Sequence, residues 1–305
     1  MSKDHMTRLI AAQTHSDGLT PAGIAGLSLF RATQSMPCVP AVYDPCVVAI
    51  VSGTKEAIFG GRRYVYDTSR YLCCPMSMPV QAGTPQASPN APLYGVFISL
   101  DARHMSHLVM ELDRADAPHP IPPPTAEPGI RLARWDHGFT DALHRLLLLL
   151  YSPADTAILG ETRMRELFYA ILRGEAGGFA CQAFGASNAI ARTIDHLATN
   201  LDAAISIDDM ARRAGMSRAA FHRKFKQVTS MAPIQFVKTM RLNHAAMKIL
   251  GGMGVQDAAR AVGYDSPSQF SREFKRMYGQ SPRHWADGHT LPGSMARGRI
   301  APQLP

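Results

Sequence analysis

Three things are scarce in this sequence: long apolar runs, patterned cysteine, and histidine between residues 24 and 100, where there is none. The longest apolar runs, Cys46 to Val51 and Leu146 to Tyr151, are far too short for a membrane-spanning helix, so no membrane is expected among its partners. The opening "MSKDHMTRLI" has no apolar core of a secretory leader, so the expected location is cytoplasmic. Five cysteines (Cys38, Cys46, Cys73, Cys74 and Cys181) form an odd set without framework spacing, which argues for reduced thiols and against a disulfide scaffold. The histidine gap falls on the β-rich part of the chain. A metal-dependent oxygenase built on a β-barrel needs clustered histidines on those strands, so that chemistry is disfavoured.

Acidic residues are scarce in one part only. From residue 187 onward there are 17 Lys plus Arg against 8 Asp plus Glu, whereas the first 186 residues hold 15 against 16. All of the net charge of +8 therefore resides in the C-terminal part. This asymmetry suggests a polyanion-binding domain joined to a neutral one, and 305 residues suffice for two domains, each with its own core.

The neutral part contains short β-rich runs separated by Gly, Pro, Ser and Asn: Val47 to Val51, Ala57 to Phe59, Arg63 to Tyr66, Tyr71 to Cys73 and Tyr94 to Leu100. Such spacing predicts a sandwich or barrel, with Gly60 and Gly61 forming a hairpin turn. Residues 101 to 116 are expected to be helical, followed by a proline-rich break at 119 to 129 and helices at about 139 to 151 and 154 to 174. "LHRLLLLLYS" is apolar nearly all round, which fits either burial or a subunit interface. The composition loosens over 174 to 187, the expected linker. Residues 289 to 305 show no period and are expected to form a disordered tail.

The basic part repeats itself. "ARRAGMSRAAFHRKFKQVTSMAP" from Ala211 returns as "ARAVGYDSPSQFSREFKRMYGQSP" from Ala259, with Phe221/Phe270, Arg223/Arg272, Phe225/Phe274, Lys226/Lys275 and Pro233/Pro282 each 49 apart. Each copy reads as a short helix, a glycine turn and a second helix. Ser217 is the expected cap of one second helix; Ser266, Pro267 and Gln269 supply a cap, a first-turn proline and a capping box for the other. Phe221 and Phe225, like Phe270 and Phe274, lie four apart and share an inward face. At about 100° per residue, Ala219, His222, Arg223 and Lys226 then point outward in one copy, and Ser268, Ser271, Arg272 and Lys275 in the other. Small, hydrogen-bonding and cationic groups on the N-terminal half of a helix are what a major groove admits. Arg can bridge guanine O6 and N7, and Lys226 and Lys275, one turn further on, suit phosphates. For a single cation a solvated surface is the simpler reading; two matching faces in a basic repeat favour DNA. Residues 233 to 252, a helix of about 18 residues and roughly 27 Å, suit two reading heads about one turn of B-DNA apart.

"GYDSPSQFSREFKRMYGQSPRHW", with "GMSRAAFHRKFK" upstream, resembles the AraC/XylS family of bacterial transcription regulators over about residues 190 to 287. The resemblance implies two helix-turn-helix units joined by a long helix. It carries base-reading roles to Ala219, His222 and Arg223 and to Pro267, Ser268, Gln269, Ser271 and Arg272. "GLSLFRATQSMPCVPAVYDPCVVAIVSGTKEAIFGGRRYVYD" is similar to the cupin-like N-terminal domain of one subgroup of that family, over about 20 to 175. This implies a module that senses a small effector and dimerises. The chain departs from the subgroup at Ser69, where a glycine is usual, and at "CCPM" (73 to 76). The expected fold is therefore α+β and multidomain: a cupin-like β-barrel with flanking helices over 1–184, an all-α double helix-turn-helix domain over 187–288, and the tail. Double-stranded DNA, a second copy, a small-molecule effector and RNA polymerase are the expected partners, and no cofactor is implied.

A different class remains to be weighed: an enzyme domain, either a cysteine methyl acceptor or a cupin oxygenase, fused to a DNA-binding module. His104, His107 and Glu111 have helical metal-ligand spacing, although such a trio is more often a polar surface. Adjacent Cys73 and Cys74 point to opposite faces of a strand, which makes them candidates for an effector pocket, with Arg62, Arg63 or Arg70 to lower a thiol pKa; inert buried cysteine is the simpler reading. A zinc site of Cys38, Cys46, Cys73 and Cys74 is less favoured, because neighbouring residues rarely converge on one tetrahedron.

Overall fold

Alternating apolar residues build two antiparallel sheets in the N-terminal half of the computed structural model, which describes residues 3–115, 129–185 and 188–288. Most of the expected proline-rich break, two residues of the expected linker and the whole expected tail lie outside those residues. The strands are β1 (Gly18–Pro21), β2 (Leu27–Ala32), β3 (Met36–Tyr43), β4 (Cys46–Ser52), β5 (Lys55–Phe59), β6 (Arg62–Tyr66), β7 (Arg70–Cys74), β8 (Met78–Thr84), β9 (Leu93–Ser99) and β10 (Arg131–Arg134). One sheet runs β1-β2-β9-β4-β7-β10 and the other β3-β8-β5-β6. Their inner faces meet through rings: Tyr43 of β3 packs edge-on against Phe97 of β9, with centroids 5.9 Å apart. Gly60 and Gly61 join β5 to β6 with φ of 57° and 79°, the left-handed pair a two-residue hairpin requires.

Helices cover these sheets: α1 (Lys3–Gln13), α2 (Ala102–Arg114), α3 (His137–Leu148) with a 3₁₀ turn to Tyr151, α4 (Pro153–Arg173) and α5 (Gly177–Phe184). Two of them depart from expectation. The polar opening residues fold as α1, which buries Met6, Leu9 and Ile10. The loose composition over 174 to 187 holds α5, with Phe179, Ala180, Ala183 and Phe184 buried, because contacts with other helices outweigh its poor intrinsic propensity. The leucine-rich segment is mostly core, with Leu143, Leu146, Leu147 and Leu149 buried and Tyr151 exposed.

The C-terminal part is all helix: α6 (Ala189–Thr199), α7 (Ile207–Arg213), α8 (Arg218–Thr229), α9 (Pro233–Leu250), α10 (Val255–Arg260), α11 (Pro267–Tyr278) and α12 (Pro282–Gly288). The apolar interior does not divide where the charge does. One continuous cluster runs from the sheets through α6 to Phe221, Phe225, Phe236 and Met240, and a second gathers Leu242, Ala246, Ile249, Phe270, Phe274 and Trp285. Helix α9 contributes its first half to one and its second half to the other.

At the crossing sits Asn243, only 3% exposed. Its amide nitrogen donates to the Ala41 carbonyl of β3 at 2.7 Å and the Val80 carbonyl of β8 at 2.8 Å. Its oxygen accepts from the Tyr278 hydroxyl, at the end of α11, at 2.7 Å. Burial pushes the Tyr278 pKa upward and so keeps that hydroxyl a donor. One side chain of α9 thus ties both strands of a sheet edge to the end of α11. Replacing it strands buried polar groups on each side. We expect Asn243→Ala to lower stability by about 2–4 kcal/mol in denaturant unfolding, with Asn243→Gln recovering part of the loss.

Repeat geometry generates a second expectation. Helix α11 ends on Gly279 in the left-handed conformation, and α8 ends 49 residues earlier on Ser230, also left-handed with φ of 58°. Serine pays a steric cost there that glycine does not. Ser230→Gly should stabilise the chain by about 0.5–1 kcal/mol, read as a higher midpoint in thermal unfolding.

Candidate nucleic-acid interface

Helices α8 and α11, the expected reading helices, begin as their sequences dictate. The Ser217 hydroxyl accepts from the Ala220 amide, and the Ser266 hydroxyl from the Gln269 amide, each at 3.3 Å. The reciprocal half of the capping box is missing: the Gln269 side chain donates to Glu273 at 3.2 Å instead of returning to Ser266. A carboxylate one turn ahead outcompetes the backbone as a partner. Phe221, Phe225, Phe270 and Phe274 are all buried, and the paired rings lie 5.3 Å and 5.5 Å apart.

With the phenylalanines inward, Ala219, His222, Arg223 and Lys226 are exposed on α8, and Pro267, Ser268, Gln269, Arg272 and Lys275 on α11. Ser271 is half-buried, because it stands at the flank of the inward face beside Phe270. The N-terminal domain covers neither face. On and beside the preceding helices, Arg212 pairs with Asp209 at 2.7 Å, Arg260 with Asp257 at 2.8 Å, and Arg218 with Asp208 at 3.6 Å. Among the described residues no carboxylate pairs with Arg223, Lys226, Arg272 or Lys275. Their charge is available to an external anion.

Two polar anchors that sequence reasoning missed hold the heads to α9. The Arg241 guanidinium donates to the carbonyls of Leu201 at 2.9 Å, Ala203 at 2.8 Å and Gly263 at 3.3 Å, joining the α6–α7 connection to the turn of the second repeat. Gly263, at φ of 81°, is required there: a Cβ would lie 2.8 Å from the Asp202 carbonyl and 2.9 Å from that of Leu201. Glu273, on the flank of α11, accepts from Lys238 of α9 at 3.1 Å and from the Tyr264 hydroxyl at 2.8 Å. Burial alone would raise the Glu273 pKa, but the bonds from Tyr264, Gln269 and Lys238 outweigh it and hold the carboxyl below its ordinary range. The only sequence signal for these roles was position: charged residues within an otherwise apolar helical stripe.

The other candidate sites are dispersed. His104 pairs with Asp101 at 3.0 Å, His107 with Glu111 at 3.1 Å, and Glu111 also binds Arg165. Among the described residues no group of three or more His, Cys, Asp or Glu is placed to hold a metal ion. Cys73 and Cys74 are both fully buried, so neither opens to the surface, and Cys74 donates to the Met76 carbonyl at 3.2 Å. Burial pushes the Cys73 thiol up to about 12 and the Cys74 thiol well above its ordinary value, which disfavours a nucleophilic thiolate at either. Arg62, Arg63 and Arg70 are exposed, and Arg63 is committed to Glu56 at 2.9 Å. Cys38 and Cys46 are also free thiols, each with its pKa raised by burial. No helix among the described residues is long and apolar enough to cross a membrane.

Comparison with known proteins follows the same division. A family model described as the AraC-type transcriptional regulator N-terminus matches residues 23–179, and one described as a helix-turn-helix domain matches residues 210–288. The transposon Tn10 TetD protein of Escherichia coli is 31% identical over 87 residues, covering 28% of this chain and 63% of TetD. The transcriptional regulator Rob of Salmonella typhimurium is 33% identical over 84 residues, covering 27% of this chain and 29% of Rob. This chain spans less than two thirds of the length of either relative. The crystal structure of unsaturated fatty acid bound ToxT from Vibrio cholerae matches 87% of this chain and 97% of its own, with a TM-score of 0.55 and 10% identity, a likeness of fold alone. The first family model takes in half of the sequence and the second takes in the basic repeat; by both, the chain belongs to the AraC-type transcriptional regulators.

Proposed function

We propose that this protein is a sequence-specific, DNA-binding transcription regulator that inserts α8 and α11 into two successive major grooves. The carrying observation is the pair of matching exposed faces whose cations have no carboxylate partner, while Arg212, Arg218 and Arg260 of the neighbouring helix starts and ends are paired with aspartates. Ala219, His222 and Arg223 read one half-site, with Ala219 placed for a thymine methyl; Pro267, Ser268, Gln269, Ser271 and Arg272 read the other. Lys226 and Lys275 contact phosphates and fix the register. Because His222 stands where the second repeat has Ser271, the half-sites differ in sequence.

In this proposal residues 1–184 sense a small molecule and dimerise, residues 187–288 bind DNA, and the protein acts in the cytoplasm without catalysis, in reach of RNA polymerase. Exposed apolar groups support dimerisation: Ile158 of α4 is 75% exposed and Tyr151 61%. Cys73 and Cys74 lie inside the N-terminal domain as neutral thiols, suited to line an effector pocket and not to react.

Binding assays on a cognate site selected from random DNA test the proposal. Arg272→Ala should cost about 1–3 kcal/mol on the cognate site and relax base preference at one position; an equal loss on random DNA would reduce Arg272 to a phosphate contact. Lys275→Ala should weaken all sequences alike and lower the salt slope by about one.

A further inference from the structure

We infer that the contact between His5 and His144 makes the docking of α1 depend on protons: α1 is held on the N-terminal sheet at neutral pH and opens in mild acid. Protons thereby act on residues 1–184 as an input separate from any small molecule, whatever the C-terminal helices bind.

Helix α1 lies on β2, β4 and β9 and beside α3, with Met6, Leu9 and Ile10 buried beneath it. Polar contacts fasten it along its length. Lys3 donates to the Thr68 carbonyl and lies 4.7 Å from the centre of the Trp135 ring. The Thr7 hydroxyl lies 3.3 Å from the Val51 carbonyl of β4, and the Gln13 amide donates to the Leu150 carbonyl at 3.4 Å. Between Lys3 and Thr7, His5 Nδ1 meets His144 Nε2 of α3 at 3.0 Å, with the ring centres 5.1 Å apart. Of these contacts, the imidazole pair is the one built from groups that ordinarily change charge between about pH 5 and 8.

The two rings stand in unequal surroundings. His5 is half-buried, whereas His144 is only 2% exposed and its Nδ1 is buried without a hydrogen-bond partner. With both rings neutral, one of the facing nitrogens donates and the other accepts. A first proton is accommodated on His5, which then donates to a neutral His144. A second proton sets two N–H groups against each other at 3.0 Å and leaves a buried cation with its Nδ1 hydrogen unpaired. The contact that fastened α1 is then a repulsion, and opening of α1 relieves it by returning both rings to water.

The neighbouring charges do not rescue the second proton. On α3, Asp141 lies one turn from His144 on the same face, but it is paired with Arg145 at 2.7 Å. On α4, Glu166 is taken by Arg145 and Arg163. On α1 itself, Asp4 and Arg8 are exposed. Beneath it, Arg31 of β2 pairs with Asp17 at 3.6 Å, and β4 and β9 carry no Asp, Glu, Lys, Arg or His. Burial first, then the facing His5 ring and the chain's amino group, outweigh Asp141 and hold the His144 pKa below the ordinary histidine value of 6.5. A ring kept neutral in the docked state and free to charge in the open one stabilises docking fully above pH 6.5 and ceases to as the pH falls. Each pH unit below that value favours opening by about tenfold for one proton taken up.

Hydrogen exchange of the full chain, followed peptide by peptide from about pH 7.5 to about pH 5 and corrected for the intrinsic exchange rate, tests this. The α1 amides should lose protection by about thirtyfold over that range, while those of α11 keep theirs. His144→Phe preserves a ring and removes the titrating nitrogens, so α1 should stay docked with a flat pH response. His5→Asn sets a neutral hydrogen-bonding group opposite His144 and should give a shallower response than the wild type, which decides the matter if the phenylalanine variant fails to fold. Unchanged α1 protection in the wild type, a response as steep in the folded variants as in the wild type, or an equal loss of protection in α11 would overturn the proposal.

Discussion

Helix α9 has to satisfy three neighbours at once, and the buried amide of Asn243 is where their demands meet. This helix of 18 residues packs on a sheet and on two helical units, and the strand carbonyls it meets at the sheet edge take their hydrogen bonds from it. Asparagine answers with two donors for the strand carbonyls and one acceptor for the Tyr278 hydroxyl. The apolar clusters part at this residue, Met240 belonging to the first and Leu242 to the second. Anything that shifts β3 or β8 acts directly on the helix that joins the two helix-turn-helix units.

That arrangement makes the repeats unequal partners. The first shares a continuous core with the N-terminal sheets, whereas the second packs around its own aromatic cluster of Phe270, Phe274 and Trp285. The second is attached by polar contacts, through Arg241 to the Gly263 turn and through Glu273 to Lys238, in addition to Asn243. Polar joints are directional and have discrete alternatives, while a shared apolar core has few. The second unit is therefore held by joints that have discrete alternatives, and the first is not.

Much of this was legible beforehand. The recognition helices could be placed because caps, a first-turn proline and phenylalanines four apart are local rules that tertiary contacts did not override. Strands β4, β5, β6, β7 and β9 were visible as β-branched and aromatic runs between turn residues. Strands β1, β3, β8 and β10 were not, since prolines, glycines or brevity hide them: β8 reads MPVQAGT and is held by its neighbours on both sides. Helices α1 and α5 were hidden for the converse reason, as their sequences look like a polar end and a flexible link until a core is there to receive them.

By itself the sequence determined which residues face outward on α8 and α11, Ser271 at the flank excepted, because helical periodicity and capping act within a dozen residues. It also determined the charge division, which needs no fold at all. Only the tertiary structure decided where the polar residues of the apolar stripes go, for Asn243, Arg241 and Glu273 take their roles from strands and helices distant in the chain. A buried polar group is defined by the partner it finds or lacks, and that partner is set by packing rather than by neighbours in sequence.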